Sequence, residues 1–364
     1  SAHTEAISHL TTALDLLLTR PETPERAAQE LTLRLALGPV LMATQGYTAP
    51  EVAQFYSRAR VLCEQLGNSP QLFPVLYGLW VFHTVRGELR TAQSLAQECL
   101  RIAKQTNEEG VLVEAHFAVG TTSLWRGEFS HAHATYEEGV AYYQSQQHQA
   151  LIALYGGYDP GVTCLCHVAL VLWCLGYPEQ AMMRSHEALR LAQDLGYFLS
   201  LAFSLTFAAW LHLERGEEKI AQERADAAIA LSSEHGFPYW EAWGILRRGG
   251  ALIKQDRFEE GQTQIYQGMQ ALRVGELVWT YPLALLAEGA RTRGQAGEGL
   301  AAVAEALTWV DKNDGRFYEA ELYRLKGELT LQQSSVVSCQ SPASNTQHPC
   351  GGGARGGGVF SQSH

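Results

Sequence analysis

The sequence predicts an all-α fold: a right-handed superhelical solenoid of helix–turn–helix pairs, repeating about every 40 of its 364 residues. Two observations carry the prediction. Residues able to end a helix recur at a nearly fixed interval, and small residues stand at two fixed distances after each of them. The composition permits such a core, with 46% hydrophobic residues.

The turns fall at Gly87, Gly127, Gly176 and Gly216, in Arg-Gly-Glu, Arg-Gly-Glu, Leu-Gly-Tyr-Pro and Arg-Gly-Glu contexts. Asp256 and Gly294 continue the series, and Gly46 is a looser first member. Spacings are about 40 residues, except 49 between Gly127 and Gly176. Glycine suits the left-handed residue that closes a helix. Asp256 is tolerable there because Asp visits that region at modest cost. Five residues past each turn stand Ala92, Ala132, Ala181, Ala221, Gly261 and Gly299; seven further on stand Cys99, Gly139, Ala188, Ala228, Gly268 and Ala306. Residues seven apart share one helix face, and helices cross closely only where side chains are small.

Taken in order, Glu5–Leu14 carries Ala6 and Ala13 seven apart and reads as a second helix without its first. Pro21-Glu22-Thr23-Pro24 makes a loop, and Glu25–Met42 is the next long helix, which Gly38-Pro39 is expected to kink or interrupt. Each of the turns above then joins a first helix to a second. Second helices open on Pro or Glu, as at Pro178-Glu179 and Glu217-Glu218, which favours an N-terminus. Phe317–Gln333 reads as a first helix without its second. The repeat domain is therefore expected to span residues 1–333 and to be truncated within a repeat at both ends, a piece of something longer, because a solenoid needs capping helices.

Residues 334–364 break the pattern and read as a disordered Ser/Pro/Gly-rich tail. Ala354–His364 can be written in synonymous codons that, read one base later, encode Gln-Glu-Ala-Glu-Ala-Cys-Phe-Leu-Lys-Ala. That peptide resembles the missing second helix. A reading-frame shift within about Cys350–Arg355 is the hypothesis this raises, and coding DNA with stops in the alternate frame would sink it.

Charge and hydropathy exclude several functions. The net charge of −11, from 27 basic and 38 acidic residues, argues against nucleic acid, which needs clustered Lys and Arg. The longest apolar stretches, near Leu199–Leu211 and Val162–Leu175, are interrupted by Ser, Thr or His and fall short of the roughly 20 residues of a membrane span. No signal peptide is recognised, and seven scattered Cys show no disulfide framework, so a reducing cytoplasm is the expected compartment.

Chemistry-bearing clusters are few. Cys164-Leu165-Cys166-His167 invites a metal, but helix positions two apart point about 200° from each other, so buried thiols are the better account. His131 and His133 share that geometry and read as surface residues. The extra residues in the long interval lie in 144–150 and 155–161. There Gly156-Gly157 permits positive φ, and Asp159-Pro160-Gly161 is turn chemistry that opens a helix. That stretch reads either as a plain connection or as a binding loop at the groove, with Tyr155, Tyr158 and Asp159 as its candidate residues. The eight Trp recur once or twice per repeat and are expected mainly to pack between layers, with one or two facing a ligand. Arg247-Arg248, Arg291 and Arg293 could meet an acidic partner, but a solvated helix face accounts for them as well.

The small-residue rows, helix–turn–helix unit and closing glycines resemble the tetratricopeptide repeat (TPR), with a period of about 40 rather than 34. Four stretches, 30–39, 71–80, 184–189 and 317–329, resemble more closely the TPR-like C-terminal region of bacterial proteins that join a nucleotide cyclase or kinase to an AAA-type ATPase. The resemblance covers roughly residues 5–333. It implies a non-catalytic regulatory module, with any catalytic domain outside this chain. It carries over no catalytic residue, and no phosphate-binding Gly-x-x-x-x-Gly-Lys-Ser/Thr is present. The expected partner is a protein or peptide in the concave groove, including upstream domains of the same polypeptide, with no cofactor, metal, nucleic acid or membrane. The alternative is a small-molecule sensor with its ligand near residues 144–161.

Overall fold

A computed structural model describes residues 2–67, 71–144, 152, 156–272 and 279–340. Among them are 16 helices and no strand. The odd-numbered helices are α1 (Ala2–Leu18), α3 (Pro50–Leu66), α5 (Leu89–Thr106), α7 (Phe129–Tyr142), α9 (Pro178–Leu195), α11 (Glu218–His235), α13 (Phe258–Leu272) and α15 (Ala296–Asn313). The even-numbered are α2 (Pro24–Gln45), α4 (Leu72–Val85), α6 (Glu109–Trp125), α8 (Pro160–Cys174), α10 (Phe198–Glu214), α12 (Pro238–Lys254), α14 (Thr280–Thr292) and α16 (Glu319–Gln340). From α4 onward, each even helix is the first of a pair and the odd helix after it the second. The result is a solenoid of the TPR type.

Six of the seven predicted turns close in the same way; at the looser first member, Gly46, the N–H donates instead to the Met42 carbonyl. At Gly127, whose φ is +75°, its N–H donates to the Leu124 carbonyl and the Glu128 N–H donates to the Ser123 carbonyl. The same two bonds recur around Gly87, Gly176, Gly216, Asp256 and Gly294. This pair satisfies carbonyls that the helix end would leave bare, and it needs a left-handed residue between them. Asp256 adopts that conformation at φ +62°. The Arg-Gly-Glu sequence adds a clamp: Arg86 Nε donates to Glu88, Arg126 to Glu128 and Arg215 to Glu217, at 2.8, 3.0 and 3.1 Å.

The two small-residue rows are buried at every position, from Ala92 and Cys99 to Gly299 and Ala306. At Gly261 a Cβ would lie 2.6 Å from the carbonyl oxygen of Gly249 on α12, so backbone meets backbone there. The even helices α4, α6, α8, α10 and α14 lack a polar stripe. In α8, Pro160 through Leu172 are all buried, and α6 and α10 are covered almost as fully. A helix apolar all round must be covered on all sides. The odd helices cover one side, and the turning of the superhelix brings other even helices against the opposite side.

Two expectations need adjustment. Helix α2 runs unbroken through Gly38-Pro39, because Tyr56 packs where a Gly38 side chain would be and Leu37, Leu41 and Met42 are buried around it. Helix α16 continues to Gln340, past the end expected at 333. The remaining tail, including 350–355 where the frame shift was inferred, lies outside the described residues.

Contacts distant in sequence close the superhelix upon itself. The Phe317 N–H donates to the Trp125 carbonyl at 3.2 Å, and Arg126 pairs with Asp314 at 2.9 Å. Arg316 packs against Gly127. Elsewhere, Tyr47 and Tyr158 join their hydroxyls at 2.5 Å, and Trp240 donates to Tyr158 at 2.8 Å. No described helix is long and apolar enough to cross a membrane.

A candidate ligand chamber inside the superhelix

The even helices α2 to α12 surround a part-enclosed chamber. The space open to the centres of water-sized spheres is about 170 Å³. One water needs about 10–15 Å³ on this measure and fills about 30 Å³ of liquid. The chamber therefore holds on the order of ten waters, or a compact organic ligand. Its wall is chiefly aromatic, with Trp80, Trp125, Trp210, Trp240 and Trp243 joined by Tyr47, Phe203 and Phe207. Five of the eight Trp thus line it.

The three residues proposed from the long interval separate. Tyr158 lines the chamber, bridges Tyr47 to Trp240, and packs on Phe203 with ring centroids 5.6 Å apart. Asp159 is buried and employed in the scaffold. It accepts from the Val162 N–H at 3.0 Å as the cap of α8 and from the Tyr143 hydroxyl at 2.8 Å. Tyr155 lies outside the described residues.

The titratable groups on the wall have unusual environments. Burial raises the Glu114 carboxyl to a pKa of about 8 despite its hydrogen bond with Tyr77, so it is mainly protonated at neutral pH. Burial lowers His167 to about 4, so its ring is neutral and donates from Nδ1 to the Thr163 carbonyl at 2.8 Å. Arg247 is only 2% exposed, which corrects its reading as part of a solvated face. Arg248 beside it pairs with Asp226 at 3.2 Å. A signal for Arg247 was present in the sequence: with Trp240 and Trp243 it stands at i, i+3 and i+7, one face of α12.

The cysteines behave as buried thiols on opposite sides of their helix. Cys164 packs in the core of the N-terminal half, and Cys166 in that of the C-terminal half. No group of three potential metal ligands occurs among the described residues.

The chain was compared with known proteins. No family model matches. An uncharacterized protein of Rhizobium meliloti, R02095, is 22% identical over 334 residues, covering 90% of this chain. The match spans 32% of that protein, so the chain corresponds to about a third of its length. Among solved structures, a Rap protein complexed with competence and sporulation factor superposes with a TM-score of 0.56 at 12% identity, covering 91% of this chain and 99% of the other. The Rap conjugation regulator of plasmid pLS20 in complex with the Phr* peptide gives 0.52 at 13%, covering 94% and 99%. NprR in complex with its cognate peptide NprX gives 0.50 at 10%, covering 85% and 86%. These similarities establish a TPR-like helical solenoid.

Proposed function

We propose that this chain is a non-catalytic regulatory module that receives its ligand inside the superhelix, and that the ligand is the end of a peptide segment. The observation that carries the reading is the aromatic chamber walled by α2 to α12. Aromatic side chains supply large apolar contact area at little conformational cost, as binding pockets do. The solved Rap and NprR complexes hold peptides on the same class of scaffold, which supports the choice of a peptide. The chamber takes the end of such a segment, with the rest of the peptide outside it. It also favours a second reading, a small-molecule sensor, since a compact apolar ligand fits the same space.

The regulated partner is an ATPase or cyclase portion of a longer parent chain in the bacterial cytoplasm. The much greater length of the R. meliloti protein leaves room for such a portion. Recovering the complete reading frame tests this part, and a parent without such a domain removes it.

A neutral fluorescent probe, N-phenyl-1-naphthylamine, tests the chamber itself. We expect one probe per chain, with blue-shifted emission. Val81→Trp, which adds bulk from the chamber wall, should weaken binding at least tenfold while helical circular dichroism stays unchanged. No binding to the native protein, or equal binding to both, overturns the proposal.

A further inference from the structure

Arg247 projects from α12 into the chamber wall, and its guanidinium lies over three rings: Trp210 at 4.0 Å, Tyr281 at 4.2 Å and Trp243 at 4.8 Å. Its Nε and Nη1 are buried without a fully formed hydrogen bond, the Tyr281 hydroxyl is the polar group that lies against it, and among the described residues no carboxylate pairs with it. The carboxylate that acts on it through space, Glu214, is turned elsewhere. Glu214 accepts from Trp210 Nε1 at 3.1 Å and from the Tyr318 hydroxyl.

A buried, unpaired guanidinium is costly, because attraction to ring faces replaces only part of its lost hydration. Rings that cover the guanidinium faces leave its in-plane N–H groups as the donors still to be satisfied. A planar anion matches such a fork of donors. The other titratable groups on the wall do not compete. Glu114, held to about 8, and His167, held to about 4, are both mainly neutral at pH 7. The chamber therefore combines apolar walls with one positive pole.

We propose that the chamber selects an anionic ligand, an aromatic or aliphatic group carrying a carboxylate that docks on Arg247. This rests on the chamber reading above and specifies its ligand class. The carboxylate has two sources, the free C-terminus of a peptide or a small apolar acid.

Matched pairs of probes test the proposal on the native protein. Displacement of the neutral probe is measured with 3-phenylpropionate against 3-phenylpropionamide, and with Ala-Ala-Ala-Phe against its C-terminal amide. We expect each winning acid to bind at least tenfold tighter than its neutral counterpart. A preference confined to the tetrapeptide assigns the peptide source; one confined to phenylpropionate assigns the small acid. In Arg247→Leu the acid preference should vanish, and the ligand-free variant should melt no lower than the native protein.

Neutral probes binding as well as acids would overturn the anionic selection and leave the chamber reading intact. Absence of binding by every probe would overturn both. A lower melting temperature for Arg247→Leu with the acid preference retained would make Arg247 a structural residue. The native acid–amide comparison decides the matter without any variant.

Discussion

The outer and inner helices of this solenoid obey different rules. The odd helices, outside, repeat one another: Ala, Gly or Cys at two fixed places, buried wherever the pattern falls. The even helices, inside, hardly repeat at all. Nine residues before their turns stand Gly78 on α4, Ala118 on α6, His167 on α8, Phe207 on α10 and Arg247 on α12. Close helix crossing imposes the first regularity, since no bulk can be added where backbones meet. Nothing about packing demands that a chamber wall be periodic. The difference teaches that the scaffold resides in what recurs and recognition in what does not.

Substitutions can break or sharpen that contrast. The largest effect should come from the outer row. Gly261→Leu forces a side chain into the Gly249 carbonyl and Ile253, and should cost about 3 kcal/mol or more in urea unfolding. The chamber-facing Val81→Trp, of comparable added bulk, should cost under about 1 kcal/mol, because it has space to enter. Equal losses would erase the distinction between the two layers.

Next comes a gain. The Glu114 carboxyl titrates near 8 in the folded chain and near 4.5 when unfolded. Between those values the folded state holds the extra proton, so stability falls as pH rises, by up to about 1.4 kcal/mol per unit. Glu114→Gln keeps a hydrogen-bonding group beside Tyr77 and should remove this slope. The variant should be more stable than the native protein at pH 8, by an amount that shrinks toward pH 4.5. His167 acts in the opposite sense at lower pH: stability is lost as pH falls from about 6.5 through 4. Thermal melts across pH 4–9 would separate the two, and an unchanged slope in Glu114→Gln would remove the assignment.

A smaller loss is expected at the junction. Tyr158→Phe deletes the hydroxyl shared by Tyr47 and Trp240 and should cost about 1 kcal/mol. It should also speed hydrogen exchange in the segments that carry those partners. The smallest effect belongs to the turn clamp. Arg86→Ala removes a half-exposed contact to Glu88 and should change stability by no more than about 0.5 kcal/mol, detectable as a slight shift in melting temperature.

The scaffold was legible because its signals are local. Gly127 announces its turn within a few residues, and Ala132 and Gly139 announce a face seven residues long. The wall was less legible. Tyr47 and Tyr158 are far apart in sequence, and their meeting depends on how many degrees each pair turns, which no residue states alone. Asp159 looked available for a ligand because, although its cap on α8 is local, its bond from Tyr143 emerges only when two segments converge. Arg247 was hidden by Arg248: an Arg-Arg pair resembles a solvated face until one member is seen to turn inward.

The contact of Arg126 with Asp314 changes how the chain should fold. An open array of repeats is rich in local contacts and can melt from its ends inward. Here residues 188 apart are joined by a salt bridge, beside the hydrogen bond of Phe317 to Trp125. That raises the contact order and adds a loop-closure cost late in folding. With the packing of Phe317 on Trp125 and Trp210, these ties couple distant repeats into one cooperative unit.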